Sequence, residues 1–155
     1  VALDTGEPIS RTDWDRVRIP AGVAEWGTDF TGADVFPWEI NMDRMGGVDL
    51  RKGCFVGQEV VSRMHRRGKL RKRTMVIEGE NLEAGQEVMA GSALGEITSA
   101  TTTHALARLR TDRLAKALDA GEALSVNDKL VHLVKTDWLD AELAASLGDG
   151  TESLT

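Results

Sequence analysis

Cys54 is the only cysteine in this 155-residue chain, and its neighbours are of a kind that activates a thiol. Lys52 and Gly53 precede it, and the pattern turns helical just after Gly57. A nearby ammonium group and a helix N-terminus both favour the thiolate and lower a cysteine pKa. Gly53 and Gly57 would let a ligand approach the backbone closely. The same cysteine could equally be a buried, inert thiol. Gln58 and Glu59 fall in the first helical turn, where an acid suits the helix dipole whether or not it touches a ligand. Glu39 follows Pro37 and Trp38. A carboxylate among aromatic side chains can take the NH groups of a heterocycle in bidentate fashion, or it can stand in solvent.

Other chemistries find no support. His65, His104 and His132 are far apart, and no pair has the spacing of metal ligands, so no metal site is expected. One cysteine forms neither an internal disulfide nor a zinc site alone, and a reducing compartment is the plain reading. There is no strained strand-to-helix serine motif and no phosphate-binding glycine loop. No apolar run reaches the roughly 18 residues of a membrane-spanning helix. The start, Val1-Ala2-Leu3-Asp4, reads as a cut or processed end and not as a signal peptide.

Charge is unevenly spread. The chain carries a net −6. Yet Arg63, Arg66, Arg67, Lys69, Arg71, Lys72 and Arg73 follow one another without an acid between them. Such a stripe suits phosphate, a polyanionic tail or RNA, or else a solvated strand edge. In a strand, Arg71 and Arg73 would share one face and Lys72 the other. The favoured expectation is that pairing starts near Thr74 and leaves all three solvated. A junction-facing Arg71 and Arg73 receiving an anionic ligand tail ranks second, and RNA third.

These residues need a frame. At 41% hydrophobic and 28% charged, the composition is that of a globular chain. After a loop over 4–10, a short helix is expected over 13–19, with Trp14, Val17 and Ile19 on one face and Pro20 and Gly22 ending it. Residues 21–49 read as irregular chain packed by aromatic side chains, the sort that often lines a site. A helix follows Gly57 and closes at Gly68. From Arg71 onward, short apolar pieces alternate with turn signals at Gly79, Asn81, Gly85, Gly91 and Gly95. That pattern predicts a small antiparallel barrel or sandwich, with a helical insertion over 113–120. An amphipathic helix over 137–147 carries Leu139, Leu143 and Leu147 four apart.

The run Lys52-Gly53-Cys54-Phe55-Val56-Gly57-Gln58-Glu59 strongly resembles the signature of the YgfZ family of folate-binding proteins. The resemblance extends to both sides. Arg18-Ile19-Pro20-Ala21-Gly22 is similar to the family's R-I-x-A-G, and Gly27-Thr28-Asp29-Phe30 to its G-x-D-F. Pro37-Trp38-Glu39-Ile40-Asn41 is similar to P-x-E-x-N, and Gly91 to Ser99 to a barrel strand ending G-x-I-T-S. One departure matters: many relatives hold Glu where this chain has Pro20, so a contact made there by an acid is not carried over.

The resemblance implies a relative of the glycine-cleavage T-protein, an aminomethyltransferase that uses tetrahydrofolate. The implied fold is α+β: the C-terminal part of a folate-binding domain over 1–67, a β-barrel over 68–136, and a C-terminal helix and frayed tail over 137–155. The N-terminal half of the family fold would be missing. The implied function is a folate-binding accessory protein supporting iron–sulfur cluster assembly or repair, and through it tRNA modification. A tetrahydrofolate-dependent aminomethyltransferase and an RNA-binding barrel module are the alternatives, so enzyme and non-enzymatic factor both stay open. Cys54 and Lys52 would be the reactive pair. Trp38, Glu39, Gly53, Gly57, Gln58 and Glu59 would contact tetrahydrofolate or a folate derivative. Iron–sulfur enzymes would be partners, without membrane or direct nucleic-acid contact. The bacterial cytoplasm or the mitochondrial matrix would be the location.

Overall fold

The computed structural model describes residues 6–32, 35–49 and 71–147. Its centre is a seven-stranded antiparallel sheet: β1 Lys72–Glu78, β2 Glu87–Ala90, β3 Ser92–Ala100, β4 His104–Arg110, β5 Ser125–Val126, β6 Lys129–Leu130 and β7 His132–Leu133. The strand order is β6-β5-β2-β3-β4-β1-β7. The sheet curls into a nearly closed barrel, as the alternation of apolar residues and turn signals predicts.

Local chemistry explains the turns and kinks. Val126 pairs with Lys129 across a two-residue turn, Asn127-Asp128, and both turn residues have positive φ. That geometry matches the right-handed twist of the strands, and Asn and Asp tolerate it best after glycine. The β3–β4 register shifts between Ile97 and Ser99. A bulge of this kind re-aims side chains, and here it decides where two hydroxyls go.

Alternation sorts β1 into two faces. Met75 and Ile77 point into the barrel core with Val88, Leu94, Ile97, Ala107 and Leu109. Val76 points outward, where it packs with Leu106 and with Ile19 from the N-terminal segment. β1 is buried on both faces from Arg73 to Ile77, and Met75-Val76-Ile77 form its continuous apolar run.

Among the described residues, three helices flank the sheet. Helix α1 spans Arg11–Arg18, and Ser10 caps it by accepting the Asp13 amide at 3.1 Å. Of its expected apolar face only Ile19, just past its end, is buried; Trp14 and Val17 are exposed. The helix docks through Arg18 and not through that face. Helix α2 spans Thr111–Asp119 and buries Thr111, Leu114, Ala115 and Ala117. Helix α3 spans Leu139–Leu147 and packs on α2. It starts two residues later than the apolar spacing predicts.

The expectation that Arg71, Lys72 and Arg73 are all solvated is overturned. Pairing starts at Lys72, opposite Arg110, and Arg73 is buried, at 1% exposure. Strand alternation sends it to the end of the barrel, where side chains of its own protein supply the anions.

Candidate functional site at the barrel junction

Two polar clusters hold the irregular N-terminal segment against the barrel. The first is a clasp around Asp29. Arg18 donates to its Oδ2 at 2.6 Å, and the Glu25 amide donates to the same oxygen at 2.9 Å. Its Oδ1 accepts the Thr98 and Ser99 hydroxyls, each at 2.6 Å. Consecutive residues of a regular strand point to opposite faces. The bulge at this point lets both hydroxyls reach one carboxylate. Arg18 also donates to Asp15 at 2.6 Å and to the Val23 carbonyl at 3.2 Å. A fully buried guanidinium is tolerated only when paired and hydrogen-bonded in this way.

The second cluster is built on Arg73. Its guanidinium donates to Asp43 at 3.1 and 3.0 Å and to Asn41 Oδ1 at 3.0 Å. Glu142 of α3 lies 3.4 Å from it, and the Trp138 ring lies under it, 5.0 Å from centroid to Cζ. Arg44 stands over the same ring at 5.5 Å and donates to Glu142 at 3.2 Å. Asn41 is in the left-handed conformation, φ 62°, and its side-chain amide donates to the Thr74 carbonyl at 2.9 Å. One strand, one irregular segment and one helix are thereby tied together.

A cleft of about 210 Å³ opens between these elements. Pro20, Ala21 and Gly22 form one wall, Asn41 and Met45 another, and Thr74 to Val76 the floor. Thr136 and Trp138 close it on the helix side. The Thr136 hydroxyl is buried and has no hydrogen-bond partner among the described residues. Buried hydroxyls are usually satisfied, so an unpaired one beside a cleft calls for a partner.

The candidate site residues fare differently. Lys52, Gly53, Cys54, Gly57, Gln58 and Glu59 lie outside the described residues. Trp38 is buried. The Glu39 carboxylate accepts the Phe36 amide at 3.1 Å, and its carbonyl accepts the Thr74 amide at 2.7 Å. Neither residue lines the cleft. His104 holds the Thr103 hydroxyl at 2.9 Å. Among the described residues no group of three or more His, Cys, Asp or Glu is placed to hold a metal ion. Asp43, Glu142, Thr136 and Trp138 escaped the sequence reading. They come from segments that only the folded chain brings together, and no local motif marks them.

Pro20 lies on the cleft wall, so the position where many relatives of the resembled family hold Glu is at the site. The wall is neutral there.

The class that these features define is a small antiparallel barrel whose outer face is covered by an irregular segment and whose end carries a cleft. Residues 71–141 match the family model described as the CAF17 C-terminal beta-barrel domain. The chain is also similar to mitochondrial proteins named iron–sulfur cluster assembly factor IBA57 homologs. It is 55% identical to the Mycosarcoma maydis protein over 56 residues, 36% of this chain and 14% of that one. It is 34% identical to that of Coccidioides immitis over 89 residues, 57% and 21%. With the Aspergillus oryzae protein the figures are 38% over 73 residues, 47% and 16%. The aligned stretches thus span about a fifth or less of these relatives.

Proposed function

We propose that this chain acts in iron–sulfur cluster assembly as a folate-binding accessory factor of the YgfZ branch, and through it supports tRNA modification. The observation that carries the assembly role is the similarity to the IBA57 homologs, 55% identical over 56 residues in one case. The finer YgfZ assignment rests on the Lys52-to-Glu59 run. The mitochondrial matrix is the location in keeping with the relatives' names, and iron–sulfur enzymes are the partners.

The junction cleft supports a ring-sized ligand. About 210 Å³ is below the roughly 300 Å³ at which small-molecule pockets begin, so its described walls suit the heterocyclic head of a folate and not the whole molecule. The unpaired Thr136 hydroxyl lies behind the helix side of the cleft, and Trp138 stands there with Arg44 over its ring. Asn41 is already committed to Arg73 and Thr74. In this reading Glu39 and Trp38 shape the segment behind the cleft. Cys54, beside Lys52, supplies the reactive thiol, and Gly53, Gly57, Gln58 and Glu59 contact the ligand.

The test has two arms. In cells depleted of the protein, enzymes that need iron–sulfur clusters should lose activity while cluster-free enzymes keep theirs. Equal activity in both groups would remove the assembly role. Tetrahydrofolate titrated into the purified chain should change tryptophan fluorescence, and Trp138→Leu should abolish most of that change. No response in the parent chain removes the folate reading and leaves the assembly role standing.

A further inference from the structure

A second groove, of about 250 Å³, lies on the outer face of the sheet. Lys72, Arg108, Arg110 and Arg113 line it with Glu87 and Glu96. The strand register sets two like pairs among these charges, and sets Glu96 also opposite Arg108. Lys72 stands directly opposite Arg110, and Glu87 directly opposite Glu96. Like charges facing each other across strands destabilise a sheet, and neighbouring groups offset them only in part. Arg110 is held by Asp112 at 2.7 Å, and Arg113 donates to the Ala93 carbonyl at 2.9 Å. Arg108 reaches Glu96 only at 3.7 Å. Lys72 is exposed and has no acidic partner among the described residues. The result is a charge-polarised surface, basic over β1 and β4 and acidic over β3 and β2.

We propose that this groove docks an extended protein segment of mixed charge, with acidic side chains over Lys72, Arg110 and Arg113 and a basic side chain over Glu87 and Glu96. Two observations favour a protein segment over a nucleic acid. None of the lining residues is aromatic, whereas single-strand binding relies on aromatic stacking platforms. And a phosphate backbone that followed the groove would run onto Glu87 and Glu96. Neighbouring strands lie about 4.8 Å apart, so the acidic and basic side chains of a crossing segment would be two to three residues apart. The inference is independent of the folate cleft, which lies at the barrel end, and of the cluster-assembly role.

The test uses the full chain at low salt and four probes. These are a fluorescein-labelled peptide with two glutamates, a two-residue spacer and two lysines; a peptide with glutamates only; a single-stranded RNA; and an RNA duplex. The mixed peptide should bind tightest. Lys72→Glu should weaken it about tenfold, as truncating close charge pairs commonly does, while Glu96→Lys should shift preference to the all-acidic peptide. Lys72→Gln should at the same time raise the unfolding midpoint of the free chain, because it relieves the pair with Arg110. Tighter binding of either RNA, or equal binding of all four probes, would overturn the proposal. So would a dimer in sedimentation that Lys72→Glu breaks and an added Glu96→Lys partner restores, since the groove's occupant would then be a second copy.

Discussion

The Ser99 hydroxyl donates to the Asp29 carboxylate at 2.6 Å across 70 residues of chain, and Thr98 beside it reaches the same oxygen. Three of the sequence motifs, R-I-x-A-G, G-x-D-F and G-x-I-T-S, meet in this one clasp through Arg18, Asp29, Thr98 and Ser99. Their shared role is to seat the N-terminal segment on the barrel, which in turn forms the cleft wall at Pro20 to Gly22. Asp29→Asn should therefore cost about 3 kcal/mol, because it removes the one fully buried anion of the Arg18 guanidinium and leaves it only the more exposed Asp15 and Glu25. Ser99→Ala, which removes one of several donors, should cost about 1 kcal/mol. Urea unfolding of the two variants checks the order, and a larger loss in Ser99→Ala contradicts it.

Arg73 is held by shape as well as charge. Its planar fork meets Asp43 through two nitrogens while the guanidinium lies on Trp138. Lysine reproduces neither contact. Arg73→Lys should destabilise the fold by about 2 kcal/mol or more and shift Trp138 emission as α3 loosens. Unchanged stability by urea unfolding would show that a point charge is enough.

What the sequence announces and what it hides differ in kind. Period-two alternation and turn residues outline the strands from Lys72 to Leu133, and four-residue spacing outlines α3. Alternation puts Arg73 on the face of Met75 and Ile77, yet the favoured expectation left it in solvent. Its anions are invisible in sequence because Asp43 and Glu142 lie on different segments, each far from it along the chain. The same limit hides the second groove: Lys72 belongs to a conspicuous basic run, but Arg108, Arg110 and Arg113 join it only through strand pairing. Trp14 and Val17 mislead in the other direction. Their spacing predicts a buried face, yet α1 is anchored by the Arg18 ion pairs at its end.

Gly95 opens the G-x-I-T-S stretch for a steric reason. A methyl group there would fall on the Arg108 carbonyl oxygen in the neighbouring strand. Backbone cannot step aside as a side-chain tip can, so Gly95→Ala must part β3 from β4. The expected cost is about 3 kcal/mol, the upper end for overpacking, with loss of amide protection along both strands. Protection that survives in hydrogen exchange would refute the close approach.

Acid should weaken the fold through two carboxylates. The hydrogen bonds from Arg110 hold the Asp112 carboxyl below the usual range. Burial raises that of Asp15, but hydrogen bonds from Arg11 and Arg18 outweigh it and the net shift is downward. A depressed folded pKa means stability that is fully present above the unfolded value, about 3.9, and lost as pH falls through the folded one. The urea midpoint should thus hold steady above about pH 5 and drop below about pH 4. Asp112→Asn should flatten part of that drop. A variant as acid-sensitive as the parent would remove Asp112 from the account.

Thr136 separates stability from binding. Its hydroxyl is buried at the cleft without a hydrogen-bond partner among the described residues, and desolvation of such a group costs about 1 to 3 kcal/mol. Valine keeps the branched shape and removes the polar atom. If the hydroxyl serves nothing but the free fold, Thr136→Val should raise the unfolding midpoint and change nothing else. If the cleft takes a heterocycle, the same substitution should stabilise the free chain and weaken tetrahydrofolate binding, since the ligand's polar edge would then meet a methyl group. The two effects have opposite signs, so a variant that is simply misfolded cannot imitate them. Thermal unfolding without ligand and fluorescence titration with it, made on one preparation, read both. A gain in stability with unchanged affinity would take Thr136 out of the binding site, and a loss of stability would show that the hydroxyl is satisfied in the free protein.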